Sequence, residues 1–102
     1  VPDDVVVAHP WRDLRGPGDA ERLQVQAVTQ ELLREVSPGH ALYGMAFSVV
    51  GRSDDRDDVL LRFGDRWALV HLTWSGKSEV PPWPTCTTFD SASGAGRATA
   101  LG

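Results

Sequence analysis

The sequence predicts an α+β fold in which one N-terminal amphipathic helix packs on a three- or four-stranded antiparallel meander and an extended Trp/Pro segment follows. Three observations predict it. Apolar residues recur at helical spacing between Asp19 and Val36, and residues between Leu42 and Trp74 alternate in polarity about a Gly64-Asp65 turn. After Trp74 the periodicity stops, and Pro81-Pro82-Trp83-Pro84 takes its place.

Residues 1–18 combine Val5-Val6-Val7-Ala8 with Pro2, Pro10, Gly16, Pro17 and Gly18. This reads as a short strand or extended arm and then a turn-rich connector. The helix over 19–36 has Asp19 as its expected N-cap, because a carboxylate there accepts from the unpaired N–H groups of the first turn. Val25, Val28, Leu32, Leu33 and Val36 fall on one face, with Gln24, Gln30, Glu31, Arg34 and Glu35 on the other. Ser37-Pro38-Gly39 ends it.

The strands are expected within 41–74. In Leu42–Val50 the larger side chains Tyr43, Met45, Phe47 and Val49 alternate with smaller ones. Gly51–Asp58 reads as a polar connection. Val59–Phe63 and Arg66–Trp74 then form a hairpin about Gly64-Asp65. A symmetric hairpin sets Arg62 opposite Trp67, Leu60 opposite Leu69 and Asp58 opposite His71. On its other face Leu61 and Val59 meet Ala68 and Val70, a purely apolar set that the helix is expected to cover. Residues 75–90 read as the extended Pro/Trp segment, since proline fixes φ and cannot donate to a ladder. Residues 1–90 thus form a single domain in this reading, and 91–102, rich in Gly, Ala and Ser, a flexible tail.

At 102 residues, 41% of them apolar and four of them tryptophan, the chain has enough material for one core. Cys86 is the only cysteine, which rules out an internal disulfide and points to a reducing, cytoplasmic setting. No apolar run approaches a membrane span or a signal pattern. The net charge is −4, and the ten Lys and Arg residues are dispersed, so neither membrane nor nucleic acid is an expected partner. Isoleucine and asparagine are absent and Lys77 is the sole lysine, the mark of a GC-rich bacterial coding bias.

Candidate chemistry is sparse. Asp58 facing His71 could orient a general base, although a cross-strand polar pair is the plainer reading. Ser48 on a neighbouring strand does not by itself complete a triad. The run Ser53-Asp54-Asp55-Arg56-Asp57-Asp58 lacks the ligand pattern of a calcium loop, and His9, His40, His71 and Cys86 lack metal-ligand spacing, so no metal and no cofactor is expected. Neither Thr85 nor Thr87 could activate Cys86. Trp74, Lys77 and Trp83, with Pro81–Pro84, form the remaining candidate: a rigid aromatic segment suited to docking on a partner or to plugging the core.

Val70-His71-Leu72-Thr73-Trp74-Ser75-Gly76-Lys77 and Pro81-Pro82-Trp83-Pro84 resemble the C-terminal half of a group of short, uncharacterised bacterial proteins. Ser37-Pro38-Gly39-His40, Leu42-Tyr43-Gly44 and Asp57-Asp58-Val59-Leu60 are similar to that group too. The resemblance spans roughly 20–90 and implies no catalytic residues. Such proteins continue past Phe89-Asp90 into an amphipathic segment, and a chain without one could cover its exposed apolar face by homodimerisation. The function expected is a small non-enzymatic interaction module of unknown protein partner, contacting it through Trp74, Lys77 and Trp83 with Arg62 and His71 beside them. Two alternatives stand: a small enzyme or ligand-binding protein using the His71 and Asp58 sheet face, and an immunity- or antitoxin-like protein.

Overall fold

The computed structural model describes residues 11–53, 57–81 and 83–101. The Val5–Ala8 tract, His9, residues 54–56 of the acidic run and Pro82 lie outside the described residues. The chain order is β1 (Trp11–Asp13), α1 (Asp19–Glu35), β2 (Ser48–Ser53), β3 (Asp58–Phe63), β4 (Arg66–His71), β5 (Thr85–Phe89) and α2 (Ala92–Leu101). The five strands form one antiparallel sheet in the order β1-β2-β3-β4-β5. The α+β class and the antiparallel sheet hold; among the described residues the count of three or four strands is corrected to five, and a strand precedes the helix.

The β3–β4 hairpin has the expected register, with Asp58 opposite His71, Leu60 opposite Leu69 and Arg62 opposite Trp67. Its two-residue turn leaves little freedom. Gly64 takes φ +61° while Asp65 stays out of the left-handed region. That is the type II′ pattern, whose twist matches the flanking strands. The apolar set Val59, Leu61, Ala68 and Val70 is buried with Val28 and Leu32 of α1, as expected. Burying each of the two helix side chains stabilises the fold by about 1.5–3 kcal/mol.

The other sheet face is also covered, which was not expected. Leu60, Trp67, Val50 and Trp11 are buried together with Ala92 and Ala95 of α2 in a second core, against which Leu69 and Phe89 pack. The residues expected to form a mobile tail are therefore a helix laid over the sheet. Small side chains permit this, because they let the helix approach the indole of Trp67 closely.

The other differences have local causes. Leu42–Phe47 is not a strand: Tyr43 N–H bonds to His40 O, Met45 N–H to Leu42 O, and Gly44 adopts φ +75°. The strand starts at Ser48 and runs through Gly51–Ser53, with a one-residue bulge between Val49 and Gly51. Asp19 is the first helical residue and Gly18 the cap, so the Asp19 carboxylate pairs with Arg22 instead. On α1, Leu33 is exposed, whereas Glu31 and Glu35 are buried. Among the described residues no helix is long and apolar enough to cross a membrane.

Candidate functional site

The burial of Glu31 and Glu35 organises one end of the molecule. The two lie one helical turn apart, beneath the loop that leaves β4. Glu35 accepts from Thr73 N–H at 2.9 Å and Trp74 N–H at 2.8 Å, and Glu31 accepts from Gly76 N–H at 2.9 Å. The two carboxyls also interact with each other. Burial and the bond to Glu31 raise the pKa of Glu35, while the bond to Glu35 and the donors Gly76 and Arg34 lower that of Glu31. Opposite shifts of this kind favour a proton on Glu35 beside an ionised Glu31, an arrangement that lets two acids sit side by side under a loop.

That clamp holds the loop in an unusual shape. Trp74 has φ +55°, a conformation bulky side chains avoid. Its ring packs against the α1-side core, and the Arg52 guanidinium lies 4.7 Å from the ring centroid. Arg52 in turn donates to Gln24 of α1 at 2.8 Å.

The clamp also fixes the segment beyond. Glu79 N–H bonds to Glu35 O, and the Ser37 hydroxyl donates to Glu79 O at 2.7 Å. Trp83 N–H closes a turn onto Val80 O. At the far end, Nε2 of buried His40 bonds Pro84 O at 2.6 Å, while its Nδ1 accepts from Leu42 N–H at 3.0 Å. Both ring nitrogens are committed to backbone, so His40 acts as a pin. Between these fixed ends the apolar turn faces solvent, with Val80 78% exposed and Trp83 47%. Trp83 is therefore no core plug. The exposed Tyr43 and Met45 leave the neighbouring loop, which approaches this one where a side chain at Gly39 would meet Pro81.

The other residues singled out from sequence do not gather on one surface. Lys77 is exposed on the clamped loop, and its ammonium has no partner among the described residues. Arg62 and His71 lie on the sheet face opposite α1. Arg62 stacks 5.2 Å from the Trp67 ring centroid and donates to Gly64 O. His71 Nδ1 donates to Asp58 Oδ1 at 2.7 Å, on a shallow notch of about 120 Å³ shared with Leu69, Thr85, Cys86 and Thr87.

Of the nucleophile-type groups beside that pair, the Thr85 and Thr87 hydroxyls share its notch, while Ser48 and the Cys86 thiol do not serve it. Ser48 stands opposite Arg62, four residues along β3 from Asp58, or roughly 13 Å. Cys86 pairs with Val70, so strand alternation turns its thiol to the α1 side, away from His71. Burial raises its pKa and keeps it a thiol. Among the described residues no group of three or more His, Cys, Asp or Glu side chains is placed to hold a metal ion.

The Glu31–Glu35 clamp is not among the features expected from the sequence. A signal existed: the pair sits at i, i+4 and flanks the Val28–Leu32 stripe. Like charges at that spacing are unfavourable on a solvated face. No family model, no curated protein and no solved structure matches this chain.

Proposed function

We propose that this chain is a non-enzymatic interaction module that presents the Val80–Trp83 turn to an apolar cleft on a partner protein. The observation that carries the reading is the exposure of Val80 and Trp83 on a segment pinned at both ends. An indole held out from a rigid turn brings a large contact area and loses little conformational freedom on docking. Tryptophans in such positions commonly dominate binding, and their truncation costs at least about 2 kcal/mol of affinity. Lys77, exposed on the clamped loop and without an ion-pair partner among the described residues, supplies a cation suited to an acidic group on the partner.

The enzyme alternative rests on the Asp58–His71 hydrogen bond alone. The notch beside that pair is small, and the thiol nearest in sequence register points to the other face.

A photo-crosslinking residue at position 83, compared with one at exposed position 65 in the hairpin turn, tests the proposal in cells of the source organism. A discrete adduct from position 83 and none from position 65 is expected. Equal background labelling from both positions would overturn it.

A further inference from the structure

We propose that β5 is a homodimerisation edge, along which two copies of the chain pair antiparallel about a twofold axis at Thr87. The inference does not depend on the Val80–Trp83 reading, because it concerns backbone groups of a different element.

The two edges of the sheet are unlike. β1 has three residues and includes Arg12 and Asp13, features that discourage strand addition. β5 has five residues, Thr85-Cys86-Thr87-Thr88-Phe89, with no charge and no proline, and its register with β4 is unbroken by a bulge. It is the longer edge and the one whose strand carries no charged residue, although Arg66 donates to Thr88 Oγ1 and to Asp90 beside it.

Strand geometry says which groups face outward. The two-residue turn makes Phe63–Arg66 a hydrogen-bonded pair, and such pairs alternate along an antiparallel ladder. The backbones of Arg66, Ala68 and Val70 therefore point to β3, and those of Trp67, Leu69 and His71 to β5. Their partners Phe89, Thr87 and Thr85 are spent on that ladder. The N–H and C=O of Cys86 and Thr88 are left facing away from the sheet. Among the described residues no backbone group bonds to them from beyond the sheet.

A second β5 satisfies all of them at one register. With the axis at Thr87, Cys86 pairs with the partner's Thr88 and Thr88 with the partner's Cys86, forming four N–H···O=C bonds. Thr87 then meets the partner's Thr87 as a close, non-hydrogen-bonded pair, and Thr85 meets the partner's Phe89. Threonine pairs are favourable across strands, and no like charges are opposed. Moving the axis to Cys86 would set Thr88 against the partner's Pro84, which has no N–H to give. The arrangement closes after two copies, making one ten-stranded sheet.

Sedimentation velocity on the full chain, from about 1 µM to about 200 µM, tests this. A species of twice the 11.1 kDa chain mass is expected to grow with concentration. Thr87→Lys places like charges opposite each other at the axis, and Thr88→Pro removes an outward N–H. Each is expected to weaken dimerisation at least about tenfold. Thr87 is exposed, so Thr87→Lys should keep the wild-type melting temperature and decides the matter if Thr88→Pro fails to fold. A monomer throughout the range overturns the proposal, as does a dimer that Thr87→Lys leaves intact. A dimer lost in Trp83→Ala but retained in Thr87→Lys would place the interface on the apolar turn instead.

Discussion

Replacing Glu35 with alanine should destabilise the fold strongly, although the residue looks like a surface glutamate in sequence. The side chain is fully buried and receives the Thr73 and Trp74 N–H groups on its two oxygens. Hydrogen bonds to a charged or proton-sharing carboxyl contribute about 1.5–3 kcal/mol each. Thr73 is exposed, so its N–H regains water and its loss lies at the low end. Trp74 is half-buried, and its N–H fares worse. Relief of the positive φ at Trp74 works in the opposite direction, by about 1–3 kcal/mol. The net expectation is a loss of about 2–4 kcal/mol. For a domain of this length that corresponds to a fall in Tm of roughly 10–25 °C. Glu35→Gln retains one acceptor and should fall between alanine and wild type. Thermal melts followed by tryptophan fluorescence would report both the transition and the Trp74 environment. A Glu35→Ala variant melting within about 3 °C of wild type would refute the clamp as an organising feature.

The same pair predicts a pH dependence. Because the Glu35 pKa is raised on folding, its contribution is full below the ordinary glutamate value of 4.5 and is lost as pH rises through the raised value. Because the Glu31 pKa is lowered, its contribution is present above 4.5 and is lost as pH falls through the lowered value. The clamp therefore stabilises most near 4.5, and the gap in urea midpoint between wild type and Glu35→Gln should narrow as pH rises from about 5 to about 8. A gap that widens over that range would contradict a proton held on Glu35. Removing residues 92–102 uncovers Leu60 and Trp67 and should cost at least about 2 kcal/mol in urea unfolding; no change would mean that α2 does not cover the sheet. His71→Ala breaks an exposed cross-strand pair and should shift stability by less than about 1 kcal/mol in the same assay.

What was legible in the sequence followed from strict local constraints. A two-residue turn with glycine at its first position leaves one register, so the pairing from Asp58–His71 to Leu61–Ala68 could be read directly. The span of α1 followed from its apolar spacing. Elsewhere pattern competed with geometry. Tyr43, Met45 and Phe47 alternate like a strand, but turns about Leu42 and Gly44 claim that segment first. α2 carries no large apolar stripe; its buried face is Ala92, Ala95 and Thr99, visible only once Trp67 is known to need a cover. β5 is mostly threonine behind a proline run, and its strand character comes from pairing with β4. At the site, the proline-rich turn and Trp83 stood out because their residue types are rare together. His40 as a pin and Glu31–Glu35 as a clamp did not, since both depend on backbone groups about 40 residues away in the chain.

The most direct test of the interaction reading is Trp83→Ala, measured twice on one preparation: its thermal stability, and its recovery of the partner that crosslinks from position 83. A Tm within about 3 °C of wild type and partner recovery reduced at least about tenfold are expected, because the indole is half exposed on an independently pinned turn. A large fall in Tm with partner recovery unchanged would contradict that reading and make Trp83 a structural residue.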